Sequence, residues 1–337
     1  MSNVLIIGAG SMGLASGYFL NLAGANVTFL IRSHHKKDLN RPQLLYNLAK
    51  NTVNKYTGYD YITEPSRIAT RDYDFIVITL DRIALQSEEG TKLTKIIGEA
   101  VKGKQTKIIL GTVTIGVFSW FLKTSGILPE MATEGSLGVM CYPPKKVELP
   151  VYAEVDKKAL ANADAAWIDC FGRGFSVSDF SPSVAKDFAV LFNKCGVSRC
   201  AIKSIDRFAT DVDSCFVIFA GSQLLGWPKF SKIDAHSELW GLTTAAFKEI
   251  EELDIHGEIG STLARETTEE KLASLVVGWE KSSLPLDIQE FNKYHHGGKV
   301  NAQDRIHLNK CLLEGEREGK RMTALREILK RLEWLTV

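Results

Sequence analysis

The first 125 residues alternate between short apolar runs and amphipathic stretches with helical spacing. The amphipathic stretches cover residues 12–23 and about 84–101, and the apolar runs are VLIIG (4–8), NVTFLIR (26–32), DFIVITL (74–80) and TKIILGT (106–112). Continuous apolar strands separated by helices predict a parallel sheet that is covered on both faces. From about 129 to 155 the pattern becomes strand-like, with a turn at Pro143–Pro144, and it predicts antiparallel strands added to this sheet.

From about residue 157 onward the pattern is mainly helical. Helices are predicted at 157–172 and 183–194, and Gly196 is expected to end the second of them before a short strand, VSRC (197–200). Beyond about residue 204 the strand patterns stop, and the helical stretches are 206–225, 235–253, 263–280, 300–318 and 322–335. We therefore predict two domains, an α/β domain at 1–204 and an all-α domain at 205–337.

Composition excludes several classes of protein. Hydrophobic residues make up 45% and charged residues 24% of the 337 positions, which is typical of a globular chain. With a formal net charge of +1, the chain has no broad positive surface that could bind a phosphate backbone, so we expect no nucleic-acid partner. The longest apolar run, 215–221, is far shorter than the roughly 20 residues that span a membrane. No signal-peptide pattern precedes the first strand, so we expect a cytoplasmic protein without a membrane partner.

The six cysteines do not form a zinc-binding pattern. Only Cys195 and Cys200 lie close together in the sequence, and there is no second close pair to complete a site. We therefore expect reduced and mostly buried thiols, and no bound metal.

A glycine-rich loop follows the first predicted strand and opens the first predicted helix. The first glycine of such a loop permits a tight turn, the second lets the backbone approach a pyrophosphate, and the third allows close packing of helix on strand. The helix N-terminus offers free N–H groups to the pyrophosphate. The predicted cofactor-binding residues here are Gly8, Ala9, Gly10, Ser11, Met12 and Gly13. The predicted fold is therefore α/β, with an N-terminal Rossmann-type doubly wound sheet and a C-terminal all-α domain.

The residue after the second predicted strand bears on the choice of cofactor. NAD-selective sites place an acidic residue there for the ribose 2′-hydroxyl, whereas this chain has Arg32. A guanidinium can bind a 2′-phosphate through two hydrogen bonds, so we predict NADP (NADPH). The alternative is a solvated basic loop, because His34, His35, Lys36 and Lys37 follow.

These features resemble the ketopantoate reductase family, whose members are 2-dehydropantoate 2-reductases. The C-terminal half adds to the resemblance through SSLPLD (282–287), QDRIHLN (303–309) and Gly319. The resemblance implies an NADP-dependent oxidoreductase that reduces a small 2-oxo acid or related carbonyl. It further implies that Ser282 or Ser283 contacts the substrate's carboxylate or hydroxyl, and that Asp304 takes the place of the family's catalytic glutamate.

Three positions depart from the family pattern. The fourth strand ends at Asp81, where the family usually has a lysine. The family's catalytic lysine lies early in the helical domain beside asparagines, but no lysine or asparagine occurs between Lys203 and Lys229. The family's asparagine after the fifth strand is replaced by Gly111 and Thr112, and Thr112 remains a candidate for cofactor binding. A proton donor must therefore come from another part of the chain.

The segment YHHGGKVNAQD (294–304) supplies candidates for that proton donor. His295, His296 and Lys299 are proposed, because histidine titrates near neutral pH and suits general acid catalysis. Asp304 opens a predicted helix, and the helix dipole is expected to keep it ionised and a poor acid. The alternative is a glycine-rich turn with solvated histidines. No metal site is predicted, because adjacent histidines point in different directions and no third ligand is suitably spaced.

Three functions fit these features. The first is an NADPH-dependent reductase of the ketopantoate reductase type acting on a small molecule. The second is an opine or hydroxyacid dehydrogenase, since similar glycine loops open those chains. The third is a non-catalytic NADP-binding sensor or interaction protein, which the missing lysine and asparagines favour. The helical domain is expected to serve substrate binding and dimerisation, although the sequence does not determine whether a homodimer forms.

Overall fold

A computed structural model of the chain describes residues 1–152 and 154–334, and it divides into two compact units after Lys203. The strands of the first unit are β1 (Asn3–Ile7), β2 (Asn26–Leu30), β3 (Gln43–Asn47), β4 (Thr52–Tyr56), β5 (Tyr59–Ile62), β6 (Phe75–Ile78), β7 (Lys107–Leu110), β8 (Ala132–Leu137), β9 (Met140–Tyr142), β10 (Ala165–Ile168), β11 (Phe175–Ser178) and β12 (Cys200–Lys203). Its helices are α1 (Ser11–Leu22), α2 (Lys36–Leu39), α3 (Arg82–Gln86), α4 (Glu88–Val101), α5 (Val117–Ser125), α6 (Lys157–Asn162) and α7 (Pro182–Phe192).

The main sheet has eight strands in the order β12-β11-β8-β7-β6-β1-β2-β5. From β5 to β8 all neighbours are parallel, whereas β11 runs antiparallel to β8 and pairs in parallel with β12. The first strand lies in the middle, with Val4 opposite both Val27 and Phe75. This arrangement is the doubly wound parallel sheet that the sequence predicts, and the fold class is confirmed.

Alternating side chains of the central strand enter two separate cores. Val4 and Ile6 pack with residues of α1 and α7, whereas Leu5 and Ile7 pack with residues of α4 and α5. All four are at most 2% exposed. A strand buried on both faces has no polar side, which explains why these strands read as continuous apolar runs.

A second sheet of four strands, in the order β4-β3-β10-β9, was not predicted from the sequence. Its strands β3 and β4 lie in the stretch between 32 and 74, where polar residues such as those of TVNKY interrupt the apolar pattern. This sheet packs against α1, and Trp167 of β10 meets Phe19 edge to face at 4.9 Å between ring centroids.

Several predicted elements are wrong in part. The helix predicted at 157–172 ends at Asn162, because the buried run Ala165–Ile168 pairs with both β3 and β9. The predicted strand 197–200 begins only at Cys200. Of the antiparallel strands predicted over 129–155, β8 does join the main sheet, antiparallel to β11 but parallel to β7, whereas β9 runs antiparallel to β10 in the second sheet. Gly196 does end its helical segment, with φ of 71°.

The described part of the second unit is helical, as predicted. Its helices are α8 (Ile205–Asp213), α9 (Cys215–Leu224), α10 (Glu238–Glu251), α11 (Gly257–Glu266), α12 (Glu269–Ser282), α13 (Ile288–Tyr294), α14 (Asn301–Arg317) and α15 (Thr323–Trp334). A π-helical turn, His295–Lys299, joins α13 to α14. Among the described residues, no helix has both the length and the apolar character needed to cross a bilayer.

Candidate functional site

The glycine loop forms a tight turn between β1 and α1. Gly8 has φ of 101°, a conformation that favours glycine, and its N–H donates to the Leu30 carbonyl at 3.0 Å. A Cβ at Gly13 would lie 2.3 Å from the Gly8 carbonyl oxygen, so only glycine permits this close contact of helix and turn. The first and third glycines therefore have the packing roles that the sequence predicts for them.

Gly10 differs from its two neighbours because a Cβ there would meet nothing within 4 Å. It is the N-cap of α1 with φ of −69°, and no side chain caps this helix or places an acid in its first turn. The first-turn N–H groups of a helix have no partner within the helix, and the helix dipole makes this end positive. The loop thus leaves a space beside positively polarised N–H groups, which fits an anionic pyrophosphate.

The other residues of the loop are anchored to the protein. The Ser11 carbonyl accepts a hydrogen bond from the Cys141 thiol at 3.2 Å, and the Met12 carbonyl accepts one from the Ser16 hydroxyl at 2.9 Å. Ala9 and Met12 pack against the core. These contacts with the rest of the first unit fix the conformation of the loop.

The carboxyl ends of β6 and β7 lie next to each other in the sheet. Thr112 is buried there, and its hydroxyl donates to the Leu80 carbonyl at 2.7 Å. Arg82, which was not predicted as a site residue, is also buried, and its guanidinium donates to the Ile115 carbonyl at 3.2 Å. Burial lowers the pKa of Arg82. The available signal was the position of Arg82, four residues after the end of β6 at the carboxyl edge of the sheet.

Arg32 lies two residues beyond the end of β2, in an extended conformation and exposed to solvent. Its side chain makes no hydrogen bond or ion pair with any residue that the structure describes. Nearby, His35 and Asp38 contact each other at 3.0 Å. The guanidinium is therefore available to a ligand, and the solvated basic loop remains the alternative.

The segment bearing the predicted proton donors is helical and not a loop. His295–Lys299 form the π-turn between α13 and α14. A Cβ at Gly297 would lie 2.8 Å from the Trp227 ring, so this glycine lets the turn pack closely on the indole. Packing of this kind leaves both histidines only partly exposed, and the alternative of solvated histidines is wrong.

His296 and Asp304 form a close pair across this turn. Nδ1 of His296 lies 2.7 Å from Oδ2 of Asp304, and the imidazole stacks on Phe219 with ring centroids 3.7 Å apart. The other carboxyl oxygen, Oδ1 of Asp304, is buried without a hydrogen-bond partner among the described residues, and so is Nδ1 of His295. Buried polar atoms without partners are uncommon, and a ligand hydroxyl or carbonyl group could satisfy them.

Burial governs the proton affinity of this pair. It raises the pKa of Asp304 to about 8, against the opposing effects of the His307 charge and of a hydrogen bond from Gln303, and it lowers the pKa of His296 to about 3. The pair therefore carries one proton and no net charge at neutral pH. The expectation that the helix dipole keeps Asp304 ionised is wrong, because desolvation outweighs the dipole. The expectation that the histidines titrate near neutrality is wrong for the same reason, and burial also lowers the pKa of His295.

The remaining predicted site residues lie on the same unit. Ser283 is fully buried, and its hydroxyl donates to the Trp279 carbonyl at 2.8 Å, whereas Ser282 is exposed. Asp287 caps α13 through the N–H groups of Gln289 and Glu290. Lys299 is exposed.

Within the described ranges, no group of three or more histidine, cysteine, aspartate or glutamate side chains could hold a metal ion.

The turn at Gly8–Gly13 and the doubly wound sheet define a dinucleotide-binding class of fold. A family model described as ketopantoate reductase PanE/ApbA matches residues 4–110. The resemblance predicted from the sequence is thereby confirmed for this part of the chain.

Solved structures resemble the chain over nearly its whole length. A 2-dehydropantoate 2-reductase from Geobacter metallireducens is 16% identical, with a TM-score of 0.65 and 99% of each chain covered. One from Methylococcus capsulatus is 14% identical, with a TM-score of 0.67 and coverage of 99% of this chain and 96% of that one. A D-mandelate dehydrogenase in complex with NADH is 13% identical, with a TM-score of 0.61 and coverage of 98% and 97%. Such identities establish a shared fold, and no curated protein matches the sequence.

Proposed function

We propose that this protein is an NADPH-dependent oxidoreductase that reduces a small 2-oxo acid or a related carbonyl compound. The observation that carries the proposal is the Gly8–Gly13 turn, where an open space at Gly10 lies beside the uncapped N-terminus of α1. The family match over residues 4–110, which contains this turn, supports the same cofactor class. In this proposal the first unit binds the cofactor and the second carries the groups that act on the substrate.

Arg32 supports NADPH over NADH as the reductant. It is an exposed guanidinium at the end of β2, where NAD-selective proteins have a carboxylate. A bound NADPH would supply the hydride, and Arg32 would hold its 2′-phosphate while the N–H groups of α1 hold its pyrophosphate. The D-mandelate dehydrogenase with the same fold is described with NADH, so the cofactor choice rests on Arg32 alone.

The His296–Asp304 pair is proposed as the general acid in place of the family's missing lysine. The pair holds a single proton at neutral pH, and Oδ1 of Asp304 is buried without a partner. A substrate oxygen placed there could accept a hydrogen bond and then the proton as it gains negative charge. His295, with its unpartnered Nδ1, would orient the substrate, and Lys299 or Ser282 would contact a substrate carboxylate.

The decisive experiment combines cofactor binding with a substrate panel. Binding of NADPH and NADH is measured by calorimetry, and cofactor oxidation is then followed with 2-oxo acids that include 2-dehydropantoate and the 2-oxo acid of mandelate. We expect NADPH to bind and at least one 2-oxo acid to be reduced. Cofactor binding without turnover on any member would favour the sensor, and oxidation of 2-hydroxy acids with NAD would favour the dehydrogenase. Absence of binding by either cofactor would refute the proposal.

A further inference from the structure

A second group of buried titratable side chains lies next to the His296–Asp304 pair, and one of its members, His307, is on α14 with Asp304. His307 is one helical turn after Asp304 and is fully buried. Its Nε2 lies 3.5 Å from Oδ1 of Asp213 and 3.4 Å from the Asp213 carbonyl. Asp213, the last residue of α8, thus faces the α14 helix that carries Asp304.

The other oxygen of Asp213 is bound by a second histidine. Nε2 of His256 lies 3.1 Å from Oδ2 of Asp213, and Nδ1 of His256 lies 2.8 Å from the Ile250 carbonyl. A carbonyl and a carboxylate can only accept hydrogen bonds, so both ring nitrogens must carry protons when Asp213 is ionised. Although burial opposes this charge, Asp213 raises the pKa of His256. His256 thereby balances the Asp213 carboxylate from one side, and His307 contacts it from the other.

The junction of α8 and α9 connects this group to the proton-carrying pair. Phe216 lies against His307 with ring centroids 4.3 Å apart, and its ring is 6.2 Å from that of His296. Phe219, one turn further along α9, stacks on His296. A single stretch of chain therefore positions His307 through Asp213 and His296 through Phe219.

We propose that Asp213 and His307 are positioning residues for the His296–Asp304 pair. Asp213 holds the His307 imidazole beside Asp304, and the two residues thereby set how tightly the pair keeps its proton. The inference rests on the proposed function, since it gives the pair's proton a catalytic purpose. The charge of His307 opposes the effect of burial on Asp304. A positively charged neighbour favours the carboxylate form, so it eases release of the proton.

Titratable groups face this arrangement from several elements, and one of them is His295 on the π-turn, whose ring centroid is 4.8 Å from that of His296. Asp304 faces His296 on the π-turn and His307 on its own helix. His307 also faces Asp213 from α8 and Cys311 from α14, whose Sγ is 3.5 Å away. Behind Asp213 lie His256 and, on α10, Glu251, which the charges of both His256 and Asp213 affect.

The test is a pH titration of Asp304 in the free protein. Aspartate labelled with ¹³C at the side-chain carboxyl is observed by NMR, and Asp304→Asn assigns the signal. His307→Gln removes the charge beside Asp304, and the isosteric Asp213→Asn removes the carboxylate that contacts His307. In both variants we expect the titration midpoint of Asp304 to rise by about 1 pH unit, a tenfold gain in proton affinity. Cys311→Ala disturbs the packing against His307 without removing a charge, so it should leave the midpoint unchanged.

The outcomes separate positioning from plain structural support. Folded His307→Gln protein with the wild-type midpoint, or an equal change in Cys311→Ala, overturns the proposal. If His307→Gln does not fold, Asp213→Asn decides, and failure of both to fold assigns the group to stability alone and also overturns it. Because the titration needs neither cofactor nor substrate, it can succeed even if the proposed reductase activity fails. In an active enzyme, the pH profile of turnover should move with the NMR midpoint.

Discussion

Asp304 is a carboxylic acid in the first turn of a helix, where two effects on its charge oppose each other. The helix dipole favours the carboxylate by about 0.3–1 kcal/mol at exposed positions. Burial disfavours it more strongly, and the pKa rises to about 8. The side chain is 7% exposed, and its neighbour His296 is itself desolvated. Because solvent is excluded, Asp304 keeps its proton near neutral pH, where an exposed aspartate is ionised.

Asp304→Asn should remove that proton while keeping the shape of the side chain. We expect turnover to fall by about 10²–10⁴, with little change in NADPH affinity. In the wild type the rate should fall as the pH rises through about 8, because the pair loses its proton there. The variant should lack this limb of the profile. Steady-state kinetics from pH 6 to 10 measure both effects.

The control for this variant is Asn309→Ala, an exposed position on the same helix, which should behave as wild type. Full turnover in Asp304→Asn, on a substrate that the wild type reduces, would assign the proton to another group. His295 and Lys299 would then be the next candidates to replace.

Arg32→Ala tests the choice of cofactor at a single side chain. A charged hydrogen bond to phosphate contributes on the order of 1.5–3 kcal/mol, so NADPH affinity should fall roughly ten- to a hundredfold. NADH affinity should stay the same, because NADH has no 2′-phosphate. Calorimetric titration with both cofactors measures the difference. Lys37→Ala, which removes an exposed cation from α2, is the matched control. Equal affinity of the wild type for NADPH and NADH contradicts the prediction.

At the scale of elements, two glycines in the turn between β1 and α1 have different roles, one in packing and one in binding. A Cβ at Gly13 would enter the backbone of Gly8 at 2.3 Å, whereas a Cβ at Gly10 would enter open space. Both positions are glycine, but only one of them faces a potential ligand.

A matched pair of alanine variants distinguishes these roles. Gly10→Ala should leave the free energy of unfolding within about 1 kcal/mol of wild type and weaken cofactor binding by about tenfold or more. Gly13→Ala should destabilise the protein by about 1–3 kcal/mol, because the turn must shift to admit the methyl group. Urea unfolding and calorimetry provide the two measurements. Undiminished cofactor binding in Gly10→Ala would mean that the loop has only a structural role.

The elements that the sequence predicted well share one property, which is that local pattern decides them. β1, β2, β6 and β7 are apolar runs buried on both faces, and the helices after 204 have local helical spacing. The second sheet was missed because β4 is mostly polar and exposed, and because β3 pairs with β10 far along the chain, as Leu45 does with Ala165. Similarly, Ala165–Ile168 is a strand only because two others flank it.

At the scale of the whole molecule, buried acids link folding stability to pH. Glu251 is 1% exposed, and burial raises its pKa to about 7, although Ser214 and His256 favour its charge. An acid with a raised pKa stabilises the folded state fully below its ordinary value, near 4.5, and this contribution disappears as the pH rises through about 7. The fold should therefore lose stability over this interval.

Glu251→Gln removes this dependence without removing the side chain. Relative to wild type, the variant should gain on the order of 2–3 kcal/mol of unfolding free energy between pH 4.5 and 8. Urea unfolding at a series of pH values measures the difference, and Glu252→Gln, at the exposed neighbouring position, is the control. Parallel pH curves for Glu251→Gln and wild type would show that Glu251 does not titrate in this range.

The sequence by itself determined the class of fold, the glycine turn, the basic residue after β2 and the helical second unit, because each depends on residues within one or two turns or strands. Only the tertiary structure decided which polar groups meet: Asp213 lies 43 residues from His256 and 94 from His307, and a π-turn brings His296 to Asp304. It also decided which of them holds a proton. Proton affinity depends on how much water and charge surround a group, and both are set by chain segments that are distant in the sequence.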